Sequence, residues 1–108
     1  MEKGRFGMII HSVYFWLKEG LSDEDRSRFD SGLRSVLDQD NVCGGYIGKP
    51  ASTPPRPVID SSYTVALHVH FVDVEAHDAY QDDPNHHAFI SNCSSLWDKV
   101  LIYDAEVS

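Results

Sequence analysis

From Met8 to Leu17 the chain is almost continuously apolar or aromatic. A period of two sorts it into Ile9, His11, Val13, Phe15 and Leu17 on one side, and Ile10, Ser12, Tyr14 and Trp16 on the other. Both files are mostly apolar, which predicts a first strand covered on both faces. After Gly20 the period changes. Ser22 is a good N-cap, and Asp23, Glu24 and Asp25 suit the first turn of a helix dipole. Phe29, Leu33, Val36 and Leu37 then recur at helical spacing, with Arg26, Arg28, Asp30 and Arg34 on the solvated side. Val42 to Ile47 reads as a short second strand with a flexible pair, Gly44 and Gly45. Lys49 to Asp60 holds four prolines and reads as a loop.

Ser62 to Val72 is the clearest strand. Tyr63, Val65, Leu67, Val69 and Phe71 share one face, and Thr64, Ala66, His68, His70 and Val72 share the other. Asp73 can cap a short helix from Val74 to about Gln81. Asp83 can cap another, with Pro84 at its first position and a stripe of Ala88, Phe89, Cys93, Leu96 and Trp97. Val100 to Val107 reads as the last strand. The order predicts an α+β fold, a ferredoxin-like βαββαβ sandwich with helices on one face of an antiparallel sheet. The opposite face, with Tyr14, Trp16, Ala66 and Val72, is too apolar for a solvated one. A second copy stacked sheet on sheet would cover it, giving a homodimer and a dimeric α+β barrel. Residues 1–7 read as a tail and 8–108 as one domain.

Composition adds boundaries to this picture. A chain of 108 residues with 42% hydrophobic and 24% charged residues can bury a core unaided. The formal net charge of −8 argues against phosphate-neutralising contacts with nucleic acid and against anionic membranes. Cys43 and Cys93 form no metal or disulfide framework and suit a reducing compartment. The apolar run from Met8 is broken by His11 and Lys18. It is too short for a secretory core or a membrane span, so a cytoplasmic protein is expected. The sequon Asn92-Cys93-Ser94 has no meaning without secretion.

The densest chemistry lies between Tyr80 and Phe89, which holds a phenol, the carboxylates Asp82 and Asp83, a proline, and the imidazoles His86 and His87. A positioned imidazole beside a phenol can do general acid–base work near neutrality. The competing reading is architectural: Asp83 caps, His87 faces solvent, and His86 and Tyr80 pack. A second cluster, His68-Val69-His70 with Glu75, has the spacing of a first cupin metal motif. Ser62 and Asp82 replace its glycines and the second motif is missing. No metal and no cofactor is therefore assigned, and His68 and His70 are expected on the sheet face between protomers.

The segment from Tyr80 to His86 resembles the signature Tyr-x-x-His-Pro-x-His of the stress-responsive A/B-barrel (Dabb) domains, with Asp83 in place of the first histidine. Further likeness lies in residues 9–15, in the run from Tyr63 to Phe71, and in the run from Trp97 to Asp104. The resemblance spans about residues 8 to 107. It implies homodimeric α+β barrels, a stress-related setting, and in many members no established activity. One plant member closes a linear polyketide thioester by aldol condensation without a cofactor. By that likeness His86 is the base, Tyr80 its partner and His11 a further pocket histidine. A pocket tyrosine and a pocket histidine of that member fall near Leu33 and Val65 here, so a more apolar pocket is expected. Its expected lining is His11, Val13, Phe15, Leu33, Val65, Tyr80, His86, Phe89 and Trp97. Two functions follow. One is a domain binding a small hydrophobic molecule. The other is a cofactor-free enzyme, either polyketide cyclase/lyase-like or like the related antibiotic-biosynthesis monooxygenases.

Overall fold

The computed structural model describes residues 6–108. Its elements run β1 (Ile9–Leu17), α1 (Asp23–Leu37), β2 (Gly44–Gly48), β3 (Val65–Phe71), α2 (Val74–Asp82), α3 (Pro84–Cys93), a 3₁₀ turn (Ser94–Leu96) and β4 (Trp97–Glu106). The four strands form one antiparallel sheet in the order β2-β3-β1-β4. This is the ferredoxin-like arrangement. The expected tail at 1–7 lies mostly outside the described residues. Gly7 already donates to the Val107 carbonyl at 2.9 Å, so backbone pairing beside the sheet begins inside it.

β1 occupies the centre of the sheet, and its alternation decides the layers. Ile9, His11, Val13 and Phe15 are buried beneath the helices, while the residues between them are half-buried on the open face. Directly paired residues share a face. Val13 therefore stands between Leu67 of β3 and Ile102 of β4, and Tyr14 between Ala66 and Leu101. α1 contributes Phe29, Leu33 and Val36 to the core. Its Ser22 hydroxyl accepts from the Asp25 amide at 3.1 Å, as the N-cap pattern predicts. Gly32 lets α3 come close: a methyl there would stand 2.7 Å from Phe89.

The second helical segment is broken where Asp83 precedes Pro84. A residue before proline avoids the helical region, and Asp83 sits at φ −65°, ψ 136°. Its carboxylate then caps α3 by accepting from the Asn85 amide at 2.8 Å.

Three boundaries differ from expectation. β3 begins at Val65, not Ser62, because the Ser62 amide and hydroxyl both turn to the Asp60 carboxylate instead of to a neighbouring strand. The last helix does not extend through Leu96 and Trp97. Its final turn tightens to 3₁₀, Lys18 N–H donates to the Leu96 carbonyl at 2.9 Å, and Trp97 opens β4 by pairing with Leu17. β4 thus starts three residues before Val100. The second strand runs from Gly44 to Gly48, and Gly45 is there for space, not flexibility. A Cβ on Gly45 would stand 2.4 Å from the His68 carbonyl oxygen and 2.6 Å from Leu37.

No helix among the described residues is long and apolar enough to cross a membrane. The glycine geometry yields a paired expectation. Gly45→Ala forces backbone and Leu37 apart and should lower stability by about 1–3 kcal/mol in urea unfolding. Gly48→Ala meets no atom within 4 Å and should stay within about 0.5 kcal/mol of the parent. Equal effects at the two sites would refute the close-approach explanation.

Candidate functional site

Between the sheet and the α2–α3 corner lies a cavity of about 260 Å³. Its floor comes from the sheet: His11, Val13 and Phe15 of β1, Leu67 of β3, and Val100 and Ile102 of β4. Its walls are Tyr80, Gln81, His86, Phe89, Ile90 and Trp97. Ile90, Val100 and Ile102 are exposed and form the rim. The break at Asp83 and Pro84 shapes this wall. It ends α2 just after Tyr80 and restarts a helix just before His86, so the two rings meet at 4.9 Å between centroids, edge to face.

Seven of the nine residues expected around the pocket line this cavity. Leu33 and Val65 do not. Leu33 is fully buried in the core under α1, and Val65 packs against the core from the start of β3. His87 is exposed and turned away, 6.1 Å from the His86 ring. Asp83 is engaged as the helix cap. His68 and His70 lie on the open sheet face. There the Ser12 hydroxyl meets His68 Nδ1 at 2.9 Å, and Tyr46 packs edge-on to His70 at 5.8 Å.

His11 is the polar interruption in the apolar file of β1, and it is 2% exposed. Its Nδ1 lies 2.5 Å from Asp104 Oδ1. The sheet register dictates this meeting, because His11 and Asp104 are direct partners across β1 and β4. Burial lowers the His11 pKa, the pull of Asp104 opposes this, and the nearby His77 adds to the lowering. Moving an imidazolium out of water costs several kcal/mol, and Asp104 is nearly half exposed, so its attraction is screened. The ring is therefore neutral near pH 7. It donates Nδ1–H to the carboxylate and keeps a lone pair on Nε2.

The other two titratable groups of the cavity are also uncharged. Burial, followed by the neighbouring His87 and His11, lowers the His86 pKa against the opposing pull of Asp83. His86 Nδ1 is shielded from solvent and has no hydrogen-bond partner. Burial pushes the Tyr80 phenol well above its usual value, so it stays protonated. The cavity thus combines an apolar wall with a neutral base, a phenol and a carboxylate-oriented imidazole. It has no fixed charge on its floor.

Two residues of this neighbourhood escaped the sequence reading. His77 on α2 places its ring 5.2 Å from that of His11, and its Nε2 is 3.7 Å from Asp104 Oδ2. The available signals were the spacing of His77 and Tyr80, which puts both on one helix face, and the position of Asp104 opposite His11. Among the described residues, His11, His77 and Asp104 form the one cluster whose potential metal-ligand atoms lie within 4.8 Å of one another. His68 and His70 do not belong to it.

Comparison with known proteins agrees with this geometry at the level of family and fold. A model of the Stress Responsive A/B Barrel Domain matches residues 9–107. A Dabb family protein from Mesorhizobium loti with a ferredoxin-like fold is 27% identical, superposes with a TM-score of 0.73, and is matched over 92% of this chain and 95% of its own. A dimeric ferredoxin-like protein of unknown function from Thermobifida fusca is 13% identical, with a TM-score of 0.75 and coverage of 95% and 93%. The hydroxynitrile lyase of Passiflora edulis is 14% identical, with a TM-score of 0.78 and coverage of 94% of each chain. No curated protein matches. With the family model spanning nearly the whole chain, this protein belongs to the stress-responsive A/B-barrel (Dabb) family.

Proposed function

We propose that the protein is a homodimeric Dabb domain whose cavity binds a small, uncharged, hydrophobic molecule. One observation carries the reading: a cavity of about 260 Å³ whose wall is apolar except where His11, Tyr80, Gln81 and His86 converge. Ligand sites commonly have this character, with a few placed polar groups fixing orientation in an apolar pocket. The volume is small, which restricts the ligand to one or two rings or a short chain. Free cysteines at Cys43 and Cys93 suit a cytoplasmic setting.

The homodimer is supported by the open sheet face. Tyr46 and Tyr103 are 68% and 62% exposed, and Leu101 and Val72 lie beside water as well. Large contiguous apolar surfaces of this kind mark interaction sites. Solved relatives with this fold are described as dimeric.

A second reading treats the cavity as a cofactor-free active site. The buried, unpartnered Nδ1 of His86 favours it. A neutral imidazole with an unused nitrogen, next to a protonated phenol, can take a proton from carbon or hydroxyl while Tyr80 donates to the developing oxyanion. The likeness in fold to a hydroxynitrile lyase directs the first assay toward aromatic hydroxynitriles. Cyclisation of a short polyketide thioester is the second.

Binding is tested by calorimetry with uncharged one-ring probes such as indole and benzaldehyde. Ile102→Trp adds bulk at the exposed rim of the cavity. It should weaken binding by at least about tenfold, or about 1.4 kcal/mol, without changing the fold. Wild-type protein that binds no probe, or a variant that binds as tightly, would refute the binding reading.

Turnover separates the two readings. His86→Ala should lower any lyase or cyclase rate by about 10²–10⁴-fold and leave the far-ultraviolet spectrum unchanged. A variant as active as its parent, or a parent that turns over neither substrate, removes the enzyme reading.

The dimer should respond to acid. Burial, and then the neighbouring His70, holds the His68 pKa below its ordinary 6.5. A lowered value in the folded state means that stability is complete above about pH 6.5. It is lost as pH falls from there through the folded value, because imidazolium must then form on a confined face. Analytical ultracentrifugation should show a dimer that is constant from about pH 8 to about pH 6.5 and weakens from there to about pH 5, and His68→Gln with His70→Gln should flatten the profile. A dimer indifferent to pH would refute His68 and His70 as interface residues.

A further inference from the structure

The cluster beside the cavity has an electrostatic problem that the hydrogen bonds do not solve. His77 Nδ1 lies 3.1 Å from the Asp78 carboxylate. A carboxylate only accepts, so this nitrogen carries the proton. In the neutral ring Nε2 then holds a lone pair. That lone pair is shielded from solvent, has no hydrogen-bond partner, and faces Asp104 Oδ2 at 3.7 Å. On the other side of the same carboxylate, His11 Nδ1 stands 2.5 Å from Asp104 Oδ1. Two imidazoles from different elements thus converge on one carboxylate from a third, and one imidazole offers it a lone pair instead of a proton. A second proton on His77 or a metal ion between the three groups removes the conflict, and the metal is favoured by geometry, because ligand atoms of His11, His77 and Asp104 all lie within 4.8 Å of one another.

We propose that His11, His77 and Asp104 form a binding site for a divalent transition metal ion, with zinc the best match. Two nitrogens and a carboxylate oxygen are the donor set of open zinc sites, whereas magnesium and calcium prefer all-oxygen surroundings. Donors around a tetrahedral zinc stand about 3.4 Å apart. The gap between His77 and Asp104 is already close to this. The gap between His11 and Asp104 must open by about 1 Å, because the metal takes the place of the shared proton. Asp104 can supply that movement: it sits on the edge strand, and its side chain is 45% exposed. The same exposure gives the ion a path in. Asp78 completes the arrangement as the outer carboxylate that fixes the tautomer of His77, a role that recurs behind zinc-bound histidines. The fourth position is left for water or an incoming oxygen ligand. Because His11 is also part of the cavity floor, a bound metal would place a positive charge at the edge of the apolar pocket.

Metal binding is measured on the chelator-treated full chain with zinc alone, so it does not depend on any cavity ligand. Calorimetry should give one zinc per chain with a dissociation constant of about 1 μM or tighter. Cobalt(II) in its place should show the intense visible bands of a four-coordinate site. His77→Gln and Asp104→Asn should each weaken binding at least about tenfold. The pair His68→Gln and His70→Gln, on the opposite face, should leave it unchanged. Imidazole resonances of His11 and His77 in the unsubstituted chain should shift with zinc in step with the calorimetric isotherm, a readout that does not depend on the variants folding. Three results would each overturn the site: no stoichiometric binding, binding indifferent to His77→Gln, or resonance shifts confined to His68 and His70. The last would leave only adventitious binding by surface histidines.

Discussion

The central position of β1 constrains everything else in this molecule. A strand paired on both sides cannot shift by one residue without moving its whole buried file to the wrong face. Ile9, Val13 and Phe15 are therefore committed to the helix layer, and His11 is carried in with them. A lone imidazole in that file would lack a partner. The same register that buries it also brings Asp104 alongside. The polar pair is thus a consequence of sheet geometry, and so is the nearness of α2, whose Tyr80 and His77 pack against the His11 ring.

The dipeptide Asp83-Pro84 is the second constraint. It converts one potential helix into two, and the corner between them sets Tyr80 against His86. Aspartate at this position is spent on capping α3. A histidine there, as in the signature that this segment resembles, could accept a similar bond only through a larger and less suitable ring. Reading Asp83 as architecture and His86 as chemistry therefore follows from what each side chain is already doing: one is satisfied, and the other has an unused nitrogen.

Much of the fold was legible because its signals are local. Ser22, Asp73 and Asp83 announce the three helix starts, and each side chain does accept the expected backbone bond. The alternating files of β1 and β3 were equally plain. The chain between Leu96 and Val100 misled because Leu96 and Trp97 continue the apolar stripe of α3. Pairing of Trp97 with Leu17 is non-local and overrides that stripe. Gly45 misled for a related reason. Glycine signals either freedom or proximity, and only the approach of the His68 carbonyl and Leu37 distinguishes them. Seven lining residues of the cavity could be placed by combining strand faces with the family resemblance, which supplied His11, Tyr80 and His86. Asp104 and His77 could not, because their roles depend on the register of β4 and the docking of α2.

The cavity has a topological origin. Backbone approach of the helices to the sheet is closest where α1 meets β2 and α2 meets β3, while the extensive contacts of β4 are with β1. An edge strand that the helices reach mainly near its two ends, through Trp97 and Asp104, leaves the inward side chains between them, Val100 and Ile102, partly bare at the cavity. Filling that gap with larger residues would have been the simple way to close the core. Instead the space is bordered by neutral titratable groups, each shielded from water to a different degree. Burying such groups is unfavourable unless they are paired, and here His86 Nδ1 is not. A fold that needed only stability would gain from leucine or phenylalanine at His86, beside Phe89 and Ile90. An unpartnered imidazole over an open apolar floor is therefore better explained by what enters the cavity than by the packing of the core.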